Sequence, residues 1–92
     1  MSERATIRPV TLARLVEVTH ACESTPRTTG DLEELLDVTH RRARETILEA
    51  LRLGFLEEDD GQIEEHYRTT TVGQEFLDAV RAEAWEEVNR IL

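Results

Sequence analysis

Lysine is missing: all 11 basic residues among the 92 are arginine. Cysteine occurs once, which excludes an intrachain disulfide and fits a reducing interior. The apolar runs are only a few residues long, so nothing in the sequence spans a membrane, and the N-terminal MSERATIRPV lacks the apolar core of a signal peptide. The expected location is therefore the cytoplasm. Aromatic residues number four, too few for a platform on which single-stranded bases stack. There is no glycine-rich phosphate loop and no nucleophile elbow, so no enzyme and no cofactor is expected. His20 and Cys22 are two residues apart, which on a helix points them in roughly opposite directions. No second ligand pair has zinc-site spacing, and no metal is expected.

What is abundant is acid. Twenty carboxylates against 11 arginines leave a net charge of -9. The excess is uneven. Residues 1–54 hold 8 arginines and 9 acids, whereas residues 55–92 hold 3 arginines and 11 acids. Acidic, lysine-free chains resemble the proteins of extreme halophiles. In about 1 M salt the Debye length is about 3 Å, so repulsion between this chain and another polyanion would be short-ranged. Ninety-two residues make one small domain.

The chain is organised around Thr28–Glu58. Thr28 is placed to cap a helix, with Asp31 three residues on as its reciprocal partner. Leu32, Leu35 and Leu36 form one apolar face, and Asp37-Val38-Thr39 interrupts it. Thr39 caps a second helix from about His40 to Leu53, and Gly54 stands where a left-handed C-terminal residue belongs. Upstream, Pro9 suits a first helical turn, and Leu12, Leu15, Val16 and Thr19 mark a core stripe running to about Cys22. Arg27 is placed to pair briefly with the hairpin that follows. Phe55–Glu58 reads as a strand, Asp59-Asp60-Gly61 as a turn, and Gln62–Thr69 as the return strand with Ile63 and Tyr67 on the core side.

Three pieces in order, Thr28-x-x-Asp31-Leu32, Leu51-x-x-Gly54-Phe55-Leu56 and Tyr67-x-x-Thr70-x-x-Gly73, resemble the pattern of MarR-, PadR- and ArsR-like regulators, above all small archaeal winged-helix proteins. The likeness covers about residues 10 to 80. It implies a mainly α fold with a small β-hairpin, a winged helix-turn-helix ordered α-α-α-β-β-α. The expected organisation is a flexible arm over 1–8, a winged helix-turn-helix domain over 9–69, and a long dimerisation helix over 70–92.

Projection of the 40–53 helix at 100° per residue puts Ala43, Ile47, Ala50 and Leu51 on the buried side. Arg41, Arg42, Glu45, Glu49 and Arg52 fall opposite, with Arg44 on the flank. HRRAR is the most basic window of the chain. In a DNA complex of this kind, the N-terminal part of the helix meets base edges in the major groove. Arginine matches guanine O6 and N7, and a carboxylate accepts from cytosine N4, so Arg41, Arg42 and Glu45 are the base-contact candidates. Arg44 and Arg52 are the phosphate candidates, and Thr39 and His40 at the first turn complete the set. The bland alternative is that Arg41–Glu45 and Glu49–Arg52 are ordinary surface ion pairs.

The wing departs from the family's habit of a basic tip beside the phosphates. Glu57, Glu58, Asp59, Asp60, Glu64 and Glu65 surround it, with Arg68 and His66 as the compensating groups. The last helix is expected from Thr70 or Thr71 to the end, about 30 Å long. Its stripe of Leu77, Val80, Ala84, Trp85, Val88, Ile91 and Leu92 runs past any core so small a domain could build, which predicts a homodimer with terminal helices packed together. The expectation is a dimeric transcriptional regulator on double-stranded DNA. The alternative left open is a protein-interaction module working through the acidic wing, with no DNA role.

Overall fold

The second, third and fourth helices each begin with a threonine doing the same job. In the computed structural model, which describes residues 9–61 and 63–92, α1 spans Pro9–Ala21, α2 Thr29–Leu36, α3 His40–Arg52 and α4 Thr71–Arg81. The Thr28, Thr39 and Thr70 hydroxyls accept from the backbone N–H groups of Asp31, Arg42 and Gly73 at 3.0, 3.1 and 3.0 Å. Such bonds satisfy N–H groups that the helix itself leaves unpaired. The Asp31 carboxylate accepts in turn from the Thr28 N–H at 3.0 Å, completing the capping box. Thr70, not Thr71, is the cap before α4, because its hydroxyl also donates to the Gly54 carbonyl and so is held from both sides.

The strands are β1, Leu56–Asp59, and β2, His66–Thr69, paired antiparallel with Leu56 opposite Thr69 and Asp59 opposite His66. Arg27 extends the sheet by one bridge to Tyr67, with N–H to carbonyl distances of 3.0 and 2.8 Å. β2 is shorter than its sequence forecast, and the connection from β1 is correspondingly longer. Ile63 falls in that connection, beyond the ladder whose alternation would have turned it inward, and is fully exposed rather than on the core side. Gln62, where the return strand was expected to begin, and the arm over residues 1–8 lie outside the described residues.

The core gathers contributions from nearly every element: Leu15 and Val18 of α1 with Cys22 just after it, Leu32 of α2, Ile47 and Ala50 of α3, Phe55, Leu56 and Tyr67 of the hairpin region, Phe76 and Leu77 of α4. The Phe55 and Phe76 rings stack with centroids 4.3 Å apart. Gly73 makes this possible: a Cβ there would collide with the Phe55 carbonyl and approach Thr69 Cγ2 at 2.8 Å. Gly54, at φ 82°, ends α3 in the left-handed conformation. The bonds from Gly54 N–H to the Leu51 carbonyl and from Phe55 N–H to the Ala50 carbonyl close the last turn.

The single long C-terminal helix is corrected to two. α4 stops at Arg81, and α5, Trp85–Ile91, turns back toward the core. Glu83 takes a left-handed φ of 56°, with Glu83 N–H bonded to the Val80 carbonyl and Ala84 N–H to the Ala79 carbonyl. This is the same helix-ending pattern as at Gly54, without the glycine. A non-glycine residue in that conformation costs about 1–2 kcal/mol. Full burial of Val88 contributes about 1.5–3 kcal/mol in return, and Ile91 and Leu92 add packing at the core's edge. Of the expected dimerisation residues, Leu77 and Val88 are therefore buried within the chain, and Val80, Ile91 and Leu92 lie against its core. Only Ala84 and Trp85 are exposed, Trp85 by 50%. The exposed apolar end expected of one long helix is thus reduced to Ala84 and Trp85. No helix among the described residues is long and apolar enough to cross a membrane.

Candidate nucleic-acid interface

α3 is amphipathic, and its inner face is consumed by packing. Ala43, Thr46, Ile47 and Ala50 are buried, with Leu51 at the margin. The Thr46 hydroxyl is satisfied by the Arg42 carbonyl at 2.9 Å. The outward face thus has four residues a turn or so apart, Arg41, Glu45, Leu48 and Arg52. Four arginines and two glutamates give α3 a positive balance within an acidic molecule.

The sequence-predicted contact residues come together on this helix, though not in one state. The Arg41 side chain is 90% exposed, and its Nε approaches Glu45 Oε2 at 3.4 Å, a loose pair that water screens. Arg42 is exposed and has no salt bridge among the described residues. Thr39 is committed to capping. His40 Nδ1 lies 2.7 Å from Glu33 Oε2 and bridges α3 to α2. Arg52 is held by both carboxylate oxygens of Glu49, one at 3.2 Å from its Nε, and this bonding raises its already high pKa.

Arg44 is the residue whose setting the sequence least foretold. It is half-buried, and its Nη1 donates to the Tyr67 hydroxyl at 3.4 Å, while that hydroxyl donates to Glu65 Oε1 at 2.8 Å. Burial first, and the Glu65 carboxylate next, push the Tyr67 phenol above its ordinary value. Arg44 is thereby tied to the hairpin. The residue that sequence reasoning passed over is Leu48, 53% exposed on the outward face. Its position seven residues after Arg41, off the Ala43–Ile47–Ala50 stripe, was the available signal.

The hairpin beside α3 is of opposite charge. Arg68 pairs with Glu57 at 2.8 Å and reaches Asp59 at 3.7 Å, while Glu58, Asp60, Glu64 and Glu65 are exposed. His66 Nδ1 is taken by the Glu64 carbonyl at 2.8 Å.

On the far side of the core, Arg81 of α4 clamps Glu23 just after α1, at 2.9 Å, and Gln74 Nε2 donates to the same carboxylate at 2.7 Å. The Arg81 hydrogen bond, with that of Gln74 behind it, holds Glu23 down to about 2. The clamp borders an open cleft of about 520 Å³ between α1 and α2, lined in part by His20, Arg27, Leu35 and Leu36. Cys22 faces the core and not this cleft, and burial pushes its thiol up to about 12. His20 is exposed, so the two diverge as their spacing implies, and no group of three or more metal-ligating side chains exists among the described residues. Comparison with protein-family models, with curated proteins and with solved structures finds no match.

Proposed function

We propose that the chain is a winged helix-turn-helix protein that reads duplex DNA with α3, a cytoplasmic transcriptional regulator whose wing is the β1–β2 hairpin. The observation that carries this reading is the exposure of the Arg41 and Arg42 guanidiniums at the N-terminal end of α3. The inner face of that helix is fully used by the core. Two further features support it: α2 and α3 are joined by only Asp37-Val38-Thr39, and a hairpin follows α3 directly.

In this reading Arg41 and Arg42 contact base edges, and Glu45 accepts from a cytosine amine once Arg41 leaves it. Arg52 contacts phosphate, while Arg44 holds the hairpin to the helix. The acidic hairpin contributes little favourable contact. With α5 folded on the core, one chain is one DNA-reading unit, and light scattering of the protein with a duplex decides whether two act together on a palindrome. Concentrated salt is the natural medium for such a chain. Thermal melts in dilute buffer and in about 1 M KCl test this, since screening at about 3 Å relieves repulsion among the carboxylates. Equal stability in both contradicts the halophilic origin.

The decisive experiment is selection of duplexes from a random-sequence pool by the wild type and by the Arg41→Ala, Arg42→Ala variant. Enrichment of a sequence by the wild type alone is expected. Equal enrichment by both, or none by either, removes the reading. One observation favours a second reading, a protein-docking module: Ile63 stands fully exposed among Glu58, Asp59, Asp60, Glu64 and Glu65. Under that reading, replacement of Arg41 and Arg42 leaves partner binding intact.

A further inference from the structure

Among the charged side chains of the outward face of α3 stands one apolar residue. Leu48 shares that face with Arg41, Glu45 and Arg52, and half of its surface is open. Neighbouring arginines are drawn into pairs, Arg41 to Glu45 and Arg52 to Glu49, on either side of it along the helix. Leu48 is thus an uncharged step in a ridge otherwise made of ions. An isolated exposed leucine needs no special explanation on an ordinary surface. Here it occupies the face of α3 that carries the exposed Arg41 and Arg52 guanidiniums.

The major groove offers hydrogen-bond donors and acceptors on every base pair, and a single apolar group, the 5-methyl of thymine. An isobutyl side chain can neither donate nor accept, so on this face the thymine methyl is the partner that its chemistry selects. Seven residues separate Leu48 from Arg41. At a rise of 1.5 Å per residue this is about 10 Å along the helix. With bases spaced about 3.4 Å apart on a strand, that distance corresponds to about three base steps when the helix follows the groove.

We propose that Leu48 is a specificity-determining residue that reads a thymine methyl about three base steps from the guanine contacted by Arg41. The inference rests on the DNA-reading function above. Burial of one methyl corresponds to a preference of about fourfold, smaller than that of a bidentate arginine, so Leu48 refines a site that the arginines select.

The test uses the full chain and a duplex enriched by it from a random pool. That duplex is compared with a copy carrying deoxyuridine at the thymine three steps from the guanine, a change that removes only the methyl. The wild type is expected to bind the deoxyuridine copy about fourfold more weakly. Leu48→Ala is expected to bind the thymine duplex that much more weakly and to treat both copies alike. Alanine at an exposed helical position preserves the helix, so a folding failure does not confound the comparison. The proposal is overturned if the enriched site carries no thymine at that spacing, if the wild type binds both copies equally, or if Leu48→Ala still discriminates. A change in mass by light scattering, with discrimination intact, would instead make Leu48 a contact to a second copy. Failure of any sequence to be enriched would remove the DNA-reading function itself. Enrichment that Arg41→Ala abolishes, while thymine discrimination is absent, would retain that function and remove only the role of Leu48.

Discussion

α3 and the β1–β2 hairpin are neighbours in sequence and carry opposite charge. On α3, four arginines face two glutamates, and the two arginines nearest its start are free of firm pairing among the described residues. On the hairpin, Arg68 is spent on Glu57 and Asp59, and the remaining carboxylates face solvent. The contrast teaches that a net charge of -9 describes neither surface. At a separation beyond a Debye length, each surface acts through its own local field.

The largest effect expected from breaking this contrast comes from the positive side. Replacing both Arg41 and Arg42 with alanine should abolish site preference, at about 1–3 kcal/mol for each base that is no longer read. Competition of specific against random duplex measures it, and an unchanged ratio would count against the interface. Next is the link between the two regions. Tyr67→Phe removes the hydroxyl between Arg44 and Glu65. It should lower stability to urea by about 0.5–1.5 kcal/mol and loosen the hairpin, with no change in the base preference set by Arg41. An effect on preference as large as that of the arginine variants would mean that Arg44 itself reads DNA.

The acidic side should matter less. Asp59→Asn with Asp60→Asn is expected to leave DNA affinity unchanged or slightly raised in dilute salt, with the difference vanishing near 1 M, where the Debye length is about 3 Å. A large drop in affinity would show that the hairpin engages DNA after all. The smallest effect concerns Glu23, a carboxylate held by Arg81 rather than left to solvent. Its folded value of about 2 lies below the ordinary 4.5. Its contribution is therefore fully present above about 4.5 and lost as the pH falls toward 2. Acid unfolding of Glu23→Gln should lack that component, and an identical acid profile would mean that the clamp adds nothing.

Local signals made much of the fold legible. Thr28 and Thr39 as caps, Gly54 as a helix end, and the Ala43–Ile47–Ala50 stripe each depend on residues within a turn or two of one another. The break after Arg81 was not legible, because Ala82, Glu83 and Ala84 carry no glycine or proline, and the burial of Val88 in the core that goes with it is a tertiary contact. Ile63 failed for the complementary reason. Alternation predicts a face only while a strand lasts, and β2 begins three residues later. At the candidate interface, the outward set of Arg41, Arg42, Glu45 and Arg52 follows from helical periodicity. The partnership of Arg44 with Tyr67, 23 residues away, is tertiary and leaves no local trace.

The central claim is that exposed guanidiniums on one helix bind a polyanion although the molecule is itself an anion. Fluorescence anisotropy of a labelled duplex across a salt series, from about 0.05 to 1 M KCl, tests it for the wild type and for Arg41→Ala, Arg42→Ala. The logarithm of affinity falls with the logarithm of salt concentration by about 0.9 for each phosphate neutralised. The account predicts binding by the wild type and, for the variant, an affinity for the selected duplex that is lower at every salt concentration, with the slope nearly kept because Arg41 and Arg42 read bases and not phosphates. Parallel slopes with equal affinities, or no binding at any salt, would contradict it.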